Sequence, residues 1–218
     1  MRMGTVLILG TALAFAPVHA GANPAVIVAE TTFESDLEGW ELFPGPQEQL
    51  TWEPSGSEPG GYARFEDTSP TGDYARAPAD YVGDWSWMDG VGFLHWHHRI
   101  FRLGYNPTIG DYKLVIAGPG GRAEFTAPGP PGVTDWESVT AHIWEGDWSV
   151  VSGAWSAILA DVDTLLIAIE MVGNSGPGSE ADIDGLDNVV LGAPHAAVQD
   201  DPYVPTSWTV IKGLWSDY

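Results

Sequence analysis

"VGFLHWHHRIF", residues 91–101, is the longest strand candidate in the chain. In an extended strand alternate side chains share a face. His95 and His97 then stand on one face with Arg99 beyond them, while Trp96 and His98 stand on the other. Short runs broken by glycine, proline and aspartate continue on both sides, the pattern of an all-β domain. Upstream, "YARFED" (62–67) and "DYARAP" (73–78) flank the turn signal "TSPTG". Downstream, "DYKLVIAG" (111–118) and "RAEFTA" (122–127) flank "PGG". "DWESVTAHI" (135–143) alternates Trp136, Ser138 and Thr140 against Glu137, Val139, Ala141 and Ile143. The apolar runs "DTLLIAIEM" (163–171) and "IDGLDNVVL" (183–191) close the series. One helical patch interrupts it: Trp155, Ile158, Leu159 and Val162 fall at i, i+3, i+4 and i+7, with Ser152 as the expected N-cap.

Composition narrows the class. The 218 residues include 11 tryptophans, 27 glycines and no cysteine, with a net charge of −22. Disulfides and thiolate metal sites are excluded. So strong a negative charge repels nucleic acid and anionic lipid and attracts cations. Arg2, the apolar run Val6–Ala16 and the small residues Val18 and Ala20 read as a secretory signal peptide cut after Ala20. No later apolar run approaches the roughly 20 residues of a membrane span. The expected organisation is a signal peptide (1–20), one β-domain (26–192), and a linker with a short amphipathic tail (193–218). In that tail "SWTVIKGLW" (207–215) puts Trp208, Ile211 and Trp215 on one helical face, a candidate docking or sorting segment. There is no Gly-x-Ser-x-Gly elbow, His-Glu-x-x-His or phosphate loop. With 30 acidic residues, pairs spaced for glycoside hydrolysis arise regardless, so they carry no signal. A non-enzyme is expected.

The stretch "YARAPADYVGDWSWMDGVGFLHWHHRIF" (74–101) resembles the laminin IV type A (laminin B) domain. The features are Tyr74, Ala77-Pro78, Tyr81-Val82, Gly83-Asp84 and the Gly92-led strand. "DYKLVIAGPGG", the segment from Trp136 to Glu170, and "ADIDGLDNVVL" (181–191) follow in the family's order. The resemblance covers roughly residues 30–192. The epidermal-growth-factor-like modules that flank such domains in laminins are missing. The resemblance implies a jelly-roll-like antiparallel β-sandwich, similar to carbohydrate-binding modules, with one short helix. It also implies a secreted binding or adhesion module for glycan or extracellular matrix. The alternatives are a structural component of an extracellular assembly attached through its tail and, less favoured, a jelly-roll glycoside hydrolase.

Two site readings follow. Modules of this shape often tie first strand to last through calcium, and "FESDLEGW" (33–40) looks like their N-terminal motif. The expected Ca²⁺ ligands are Glu34 and Asp187, with Asp36 and Asp184 beside them; the alternative is that these acids face water. Calcium takes six to eight oxygens, which suits such a set. The expected ligand-binding residues are Trp85, Trp87, Trp96, His95, His97 and Trp144, since sugar rings stack on flat aromatic faces. The tryptophans are equally suited to filling the core. His95 and His97 with His142 form a weaker zinc alternative.

Overall fold

The computed structural model describes residues 25–44, 50–57, 60–67, 72–104, 107–173 and 181–194. The signal-peptide reading (1–20) and the amphipathic tail (207–215) lie outside these residues. In chain order the strands are β1 (Ala25–Thr31), β2 (Glu41–Phe43), β3 (Leu50–Ser57), β4 (Gly60–Asp67), β5 (Tyr74–Arg76), β6 (Gly92–Arg102), β7 (Thr108–Ile109), β8 (Tyr112–Gly118), β9 (Gly121–Ala127), β10 (Glu137–Ile143) and β11 (Trp148–Gly153). Helix α1 (Trp155–Leu159) and strands β12 (Thr164–Ala168), β13 (Val172–Gly173) and β14 (Asp182–Pro194) complete them. No helix among the described residues is long and apolar enough to cross a membrane.

Two antiparallel sheets pack as a jelly-roll-like sandwich. One runs β10–β6–β14–β4–β3, with β1 also on β14; the other runs β11–β9–β8–β12–β5–β2. Leu94, Trp96 and Ile100 of the first sheet share one core with Leu114, Ile116, Leu165 and Ile167 of the second. β6 shows why its sequence makes a strand: Leu94, Trp96, His98 and Ile100 are buried and their neighbours are half-buried. The β8–β9 hairpin closes at Gly118–Gly121, and Gly121 takes a φ of 129°, a left-handed value open to glycine.

The helix is shorter than expected. Trp155, Ile158, Leu159 and Val162 are all buried, as the spacing requires. The helix covers only Trp155–Leu159, its N-cap is Ala154 without a side-chain cap, and Val162 instead bridges to Gly83. A single turn is held by packing, not by capping.

β14 organises the first sheet. Along one edge it pairs with β6 from Ile183 to Gly192. Its other edge is divided: Asp182–Leu186 pair with β4, and Val189–Pro194 pair with β1. The changeover falls on Asp187 and Asn188, where the β6 register also slips and Asn188 takes a φ of 47°. One extra residue in a strand is a bulge, a device that re-aims side chains. The first and last strands therefore meet, and their junction lies at the aspartates of "ADIDGLDNVVL".

Candidate functional site

Asp182, Asp184 and Asp187 are all fully buried, which removes the reading in which they face water. They separate onto two faces of β14. Asp187 pairs with His97 on the outer face, whereas Asp184 pairs with Ile100 and points into the sandwich.

At the outer junction, Ser57 Oγ donates to Asp187 Oδ2, and Asn188 Nδ2 donates to the same oxygen at 3.2 Å. Asp187 Oδ1 is buried and has no hydrogen-bond partner among the described residues. Burial pushes the Asp187 carboxyl up to about 7 against the Ser57 bond and the backbone N–H of Asn188, and the charges of Glu34 and Glu38 push it further. Glu34 lies three residues past the end of β1 and reaches Gly60, whose added Cβ would lie 2.9 Å from Glu34 Oε2. The fold thus brings Glu34 and Asp187 to one junction. It does not bring the other two. Asp36 is exposed and its Oδ1 accepts the Glu38 N–H at 2.7 Å, closing a local turn. Asp184 is on the wrong face, because an odd spacing of three along a strand inverts the side chain. Among the described residues, no three His, Asp or Glu side chains converge closely enough to hold an ion by themselves. The donors at the junction are hard oxygens with one orphaned carboxylate oxygen, a set that fits calcium once main-chain carbonyls and water join it.

Inside the sandwich a second polar group answers for Asp184. His98 Nε2 lies 3.4 Å from Asp184 Oδ1, both side chains fully buried. The His98 ring stands edge-on to Tyr112 at 5.5 Å, and Tyr112 Oη donates to Glu137 at 2.9 Å. Burial raises the Asp184 carboxyl, and the neighbouring His98 and Asp182 lower it. Among the described residues neither Asp184 oxygen has a hydrogen-bond partner, so its charged form is costly. This network holds the two sheets together and is sealed from ligand.

The outer face of β6 carries the other candidate. Phe93, His95, His97, Arg99 and Phe101 form one row, with Ser138, Thr140 and His142 of β10 beside it. A groove of about 320 Å³ runs between Val91, Phe93, His95, Thr140, His142 and Pro194. His95 Nδ1 is 2.9 Å from Thr140 Oγ1, and the His95 and His97 rings stand 5.2 Å apart. Burial lowers both imidazoles, His95 to about 4 with help from His97, so both are neutral at pH 7. Asn188 Nδ2 donates to His97 Nδ1 at 3.2 Å, which leaves the ring proton on Nε2. Further along the row, Tyr62, Phe101 and Trp136 cluster: Tyr62 stacks on Phe101 at 5.0 Å, and Trp136 stands edge-on to both. Gly185 lies beneath, where an added Cβ would meet Phe101 and Trp136 at 2.8 Å.

The tryptophans need correction. Trp85 and Trp96 are 2% and 1% exposed, so neither ring is open to a ligand. Trp96 alternates onto the core face of β6, and the Trp85 N–H donates to Leu159 O at 2.7 Å, drawing its loop onto α1. Trp87 is half-buried against the core. Trp144 is 56% exposed, with its ring over Gly146. Sequence reasoning missed Tyr62, Phe101 and Trp136 as one aromatic cluster. Their strand alternation was visible, but their meeting depends on the β4–β14–β6–β10 order. Ser57 and Asn188 were missed for the same reason.

No family model and no curated protein sequence matches the chain. Solved structures do. The L4b domain of human laminin alpha-2 is similar at a TM-score of 0.54 and 12% identity, over 77% of this chain and 98% of that one. An exo-β-agarase matches at 0.52 and 10% identity, over 77% of this chain and 25% of that one. The N-terminal CBM22-1 and GH10 modules of Clostridium thermocellum xylanase 10B, complexed with xylohexaose, match at 0.47 and 12% identity, over 79% of this chain and 29% of that one. The chain thus spans less than a third of either enzyme. At such identities the likeness is one of fold, and the fold is a laminin-type β-sandwich.

Proposed function

We propose that the protein is a non-catalytic glycan-binding module, of the laminin IV type A kind, that works outside the cell on glycan or matrix surfaces. The observation that carries this reading is the outer row of β6. It offers neutral imidazoles and aromatic faces along one strand, flanked by hydroxyls. Sugars present the complementary chemistry, with apolar ring faces that stack on aromatics and hydroxyls that accept and donate hydrogen bonds. In this role His97 presents its Nε2–H outward as a fixed donor. Asn188 holds the tautomer, and Thr140 orients His95. Phe93 and Phe101 bound the row.

A calcium ion at the β1–β14 junction belongs to the proposal. Glu34 and the orphaned oxygen of Asp187 would hold it, and the ion would supply the positive charge that the buried carboxyl lacks. Its role is to lock the first strand to the last, away from any chemistry.

Affinity electrophoresis of the full chain through gels containing soluble polysaccharides tests the binding reading. We expect retardation by at least one glycan, with His95→Ala and His97→Ala each weakening it tenfold or more at unchanged melting temperature. Retardation that survives both substitutions, or none with any glycan, overturns the proposal.

A further inference from the structure

Arg99 is the cation of the β6 row, and its setting is unusual for a surface arginine. Its guanidinium carbon lies 4.4 Å from the Phe101 ring centroid. Phe101 is itself fixed by Tyr62 and Trp136, and Trp136 Nε1 donates to Gly56 O at 2.8 Å. The guanidinium therefore rests on an immobilised aromatic floor, a favourable cation–π arrangement. Its hydrogen bonding is incomplete. Among the described residues, Nε is buried without a partner, and the one contact of Nη2 is Asp135 Oδ1, at 3.5 Å. The Asp135 side chain is 99% exposed. A pair of that kind contributes little to stability and is easily exchanged. The neighbouring arginines differ. Arg64 is engaged by Glu66 at 2.5 Å, and Arg102 is divided between Ala181 O at 2.6 Å and Glu66 at 3.4 Å.

A guanidinium that keeps free N–H groups, on a rigid floor inside a ligand row, is built to receive an oxyanion. Its terminal nitrogens match the two oxygens of a carboxylate or sulfate. We propose that the β6 face is selective for glycans that carry an oxyanion, a uronate carboxylate or a sulfate ester. Arg99 is the receptor for that group, and Asp135 is its displaceable stand-in. The inference rests on the glycan-binding reading and deepens it.

The net charge of −22 opposes an acidic ligand at long range. Screening decides the balance, because charges more than about 8 Å away are largely screened at physiological salt. Locally the picture is different. Arg64 and Arg99 pair with Gly185 from opposite sides, and Arg102 pairs with Ile183 on the same strand. These are three of the six arginines and lysines among the described residues, the others being Arg76, Lys113 and Arg122. Their acidic neighbours Glu53, Glu66 and Asp135 are all partnered with them. The row itself is otherwise neutral.

The test is affinity electrophoresis of the full chain on polygalacturonate, a sulfated galactan and a neutral galactan. We expect at least tenfold tighter retention on one of the acidic polymers than on the neutral one. Which acidic polymer wins identifies the oxyanion. Arg99→Lys keeps the charge but loses the paired N–H groups, and should remove the preference without moving the melting temperature. Asp135→Asn should strengthen acidic binding several-fold and leave neutral binding unchanged. Equal retention on acidic and neutral polymers, or a preference untouched in Arg99→Lys, overturns the anion selectivity while the glycan reading stands. Retention by none of the three overturns the anion selectivity, and retention by no other soluble glycan overturns both readings.

Discussion

Asp187→Asn in calcium-free buffer should make the protein more stable at neutral pH, in spite of breaking into a buried site. The wild-type carboxyl is fully buried and pushed up to about 7. An unfolded aspartate titrates near 3.9. Between those two values the folded carboxyl keeps a proton that the unfolded chain has already released. Unfolding then sheds a proton, so rising pH favours the unfolded state. Three pKa units at about 1.4 kcal/mol each give ~4 kcal/mol of stability lost between pH 4 and pH 8. For a domain of this size that is roughly 10 °C in melting temperature. Asparagine keeps the shape and an oxygen for Ser57 but does not titrate, so the difference between wild type and variant isolates this one group. The assay is a calorimetric melt across pH 4–8 in EDTA, repeated with millimolar calcium. The variant should gain on the wild type as pH rises, by about 10 °C in all. Calcium should restore the wild type at pH 8 and leave the variant unmoved. A difference that stays flat with pH would show that Asp187 ionises without penalty. Equal responses to calcium would remove the ion from the junction.

Four further outcomes are expected. Gly185→Ala would force Cβ against Phe101 and Trp136, 2.8 Å away, and should cost about 1–3 kcal/mol in denaturant melts while weakening glycan retention. Tyr81→Phe would remove the hydroxyl that bonds Val189 O at 2.7 Å and Thr31 Oγ1 at 3.1 Å, at about 1–3 kcal/mol, read by urea unfolding. Trp96→Ala, at a fully buried ring, should cost about 3–5 kcal/mol in the same assay, as a core residue and not a ligand contact. Asp184 is raised by burial, so its contribution is complete at acid pH and falls as pH climbs above the unfolded value; Asp184→Asn should flatten that slope in pH-dependent melts.

The strands were legible where one face is buried and one is not. Period-two patterning in β6 and β10 follows from a sheet with a single dry side, and it placed His95, His97 and Thr140 correctly. The same rule already put Trp96 on the opposite face from the histidines, so its place in the core was readable. Trp85 was not readable, because its burial depends on the contact of its loop with α1, far away in sequence. The pairing of β1 with β14 followed from the family resemblance, and it delivered Glu34 to Asp187. The bulge did not follow. The odd spacing of Asp184 and Asp187 was readable, but the slip at Asp187 and Asn188, where β4 gives way to β1, was not.

That changeover also explains why Asn188 matters more than its side chain suggests. Its amide donates to Asp187 Oδ2 and to His97 Nδ1, both at 3.2 Å. One side chain therefore joins the proposed ion junction to the proposed glycan row. Only the left-handed backbone of the bulge aims it at both, and asparagine is among the few residues other than glycine that adopt this conformation readily. A strand that kept its register here would send residue 188 to the core face, where Leu186 now lies. The bulge thus costs β14 a ladder position and sets the tautomer of a ligand-facing histidine. It also makes the two proposed sites physically dependent, since a cation that draws on the Asp187 carboxylate competes with Asn188 for the same group.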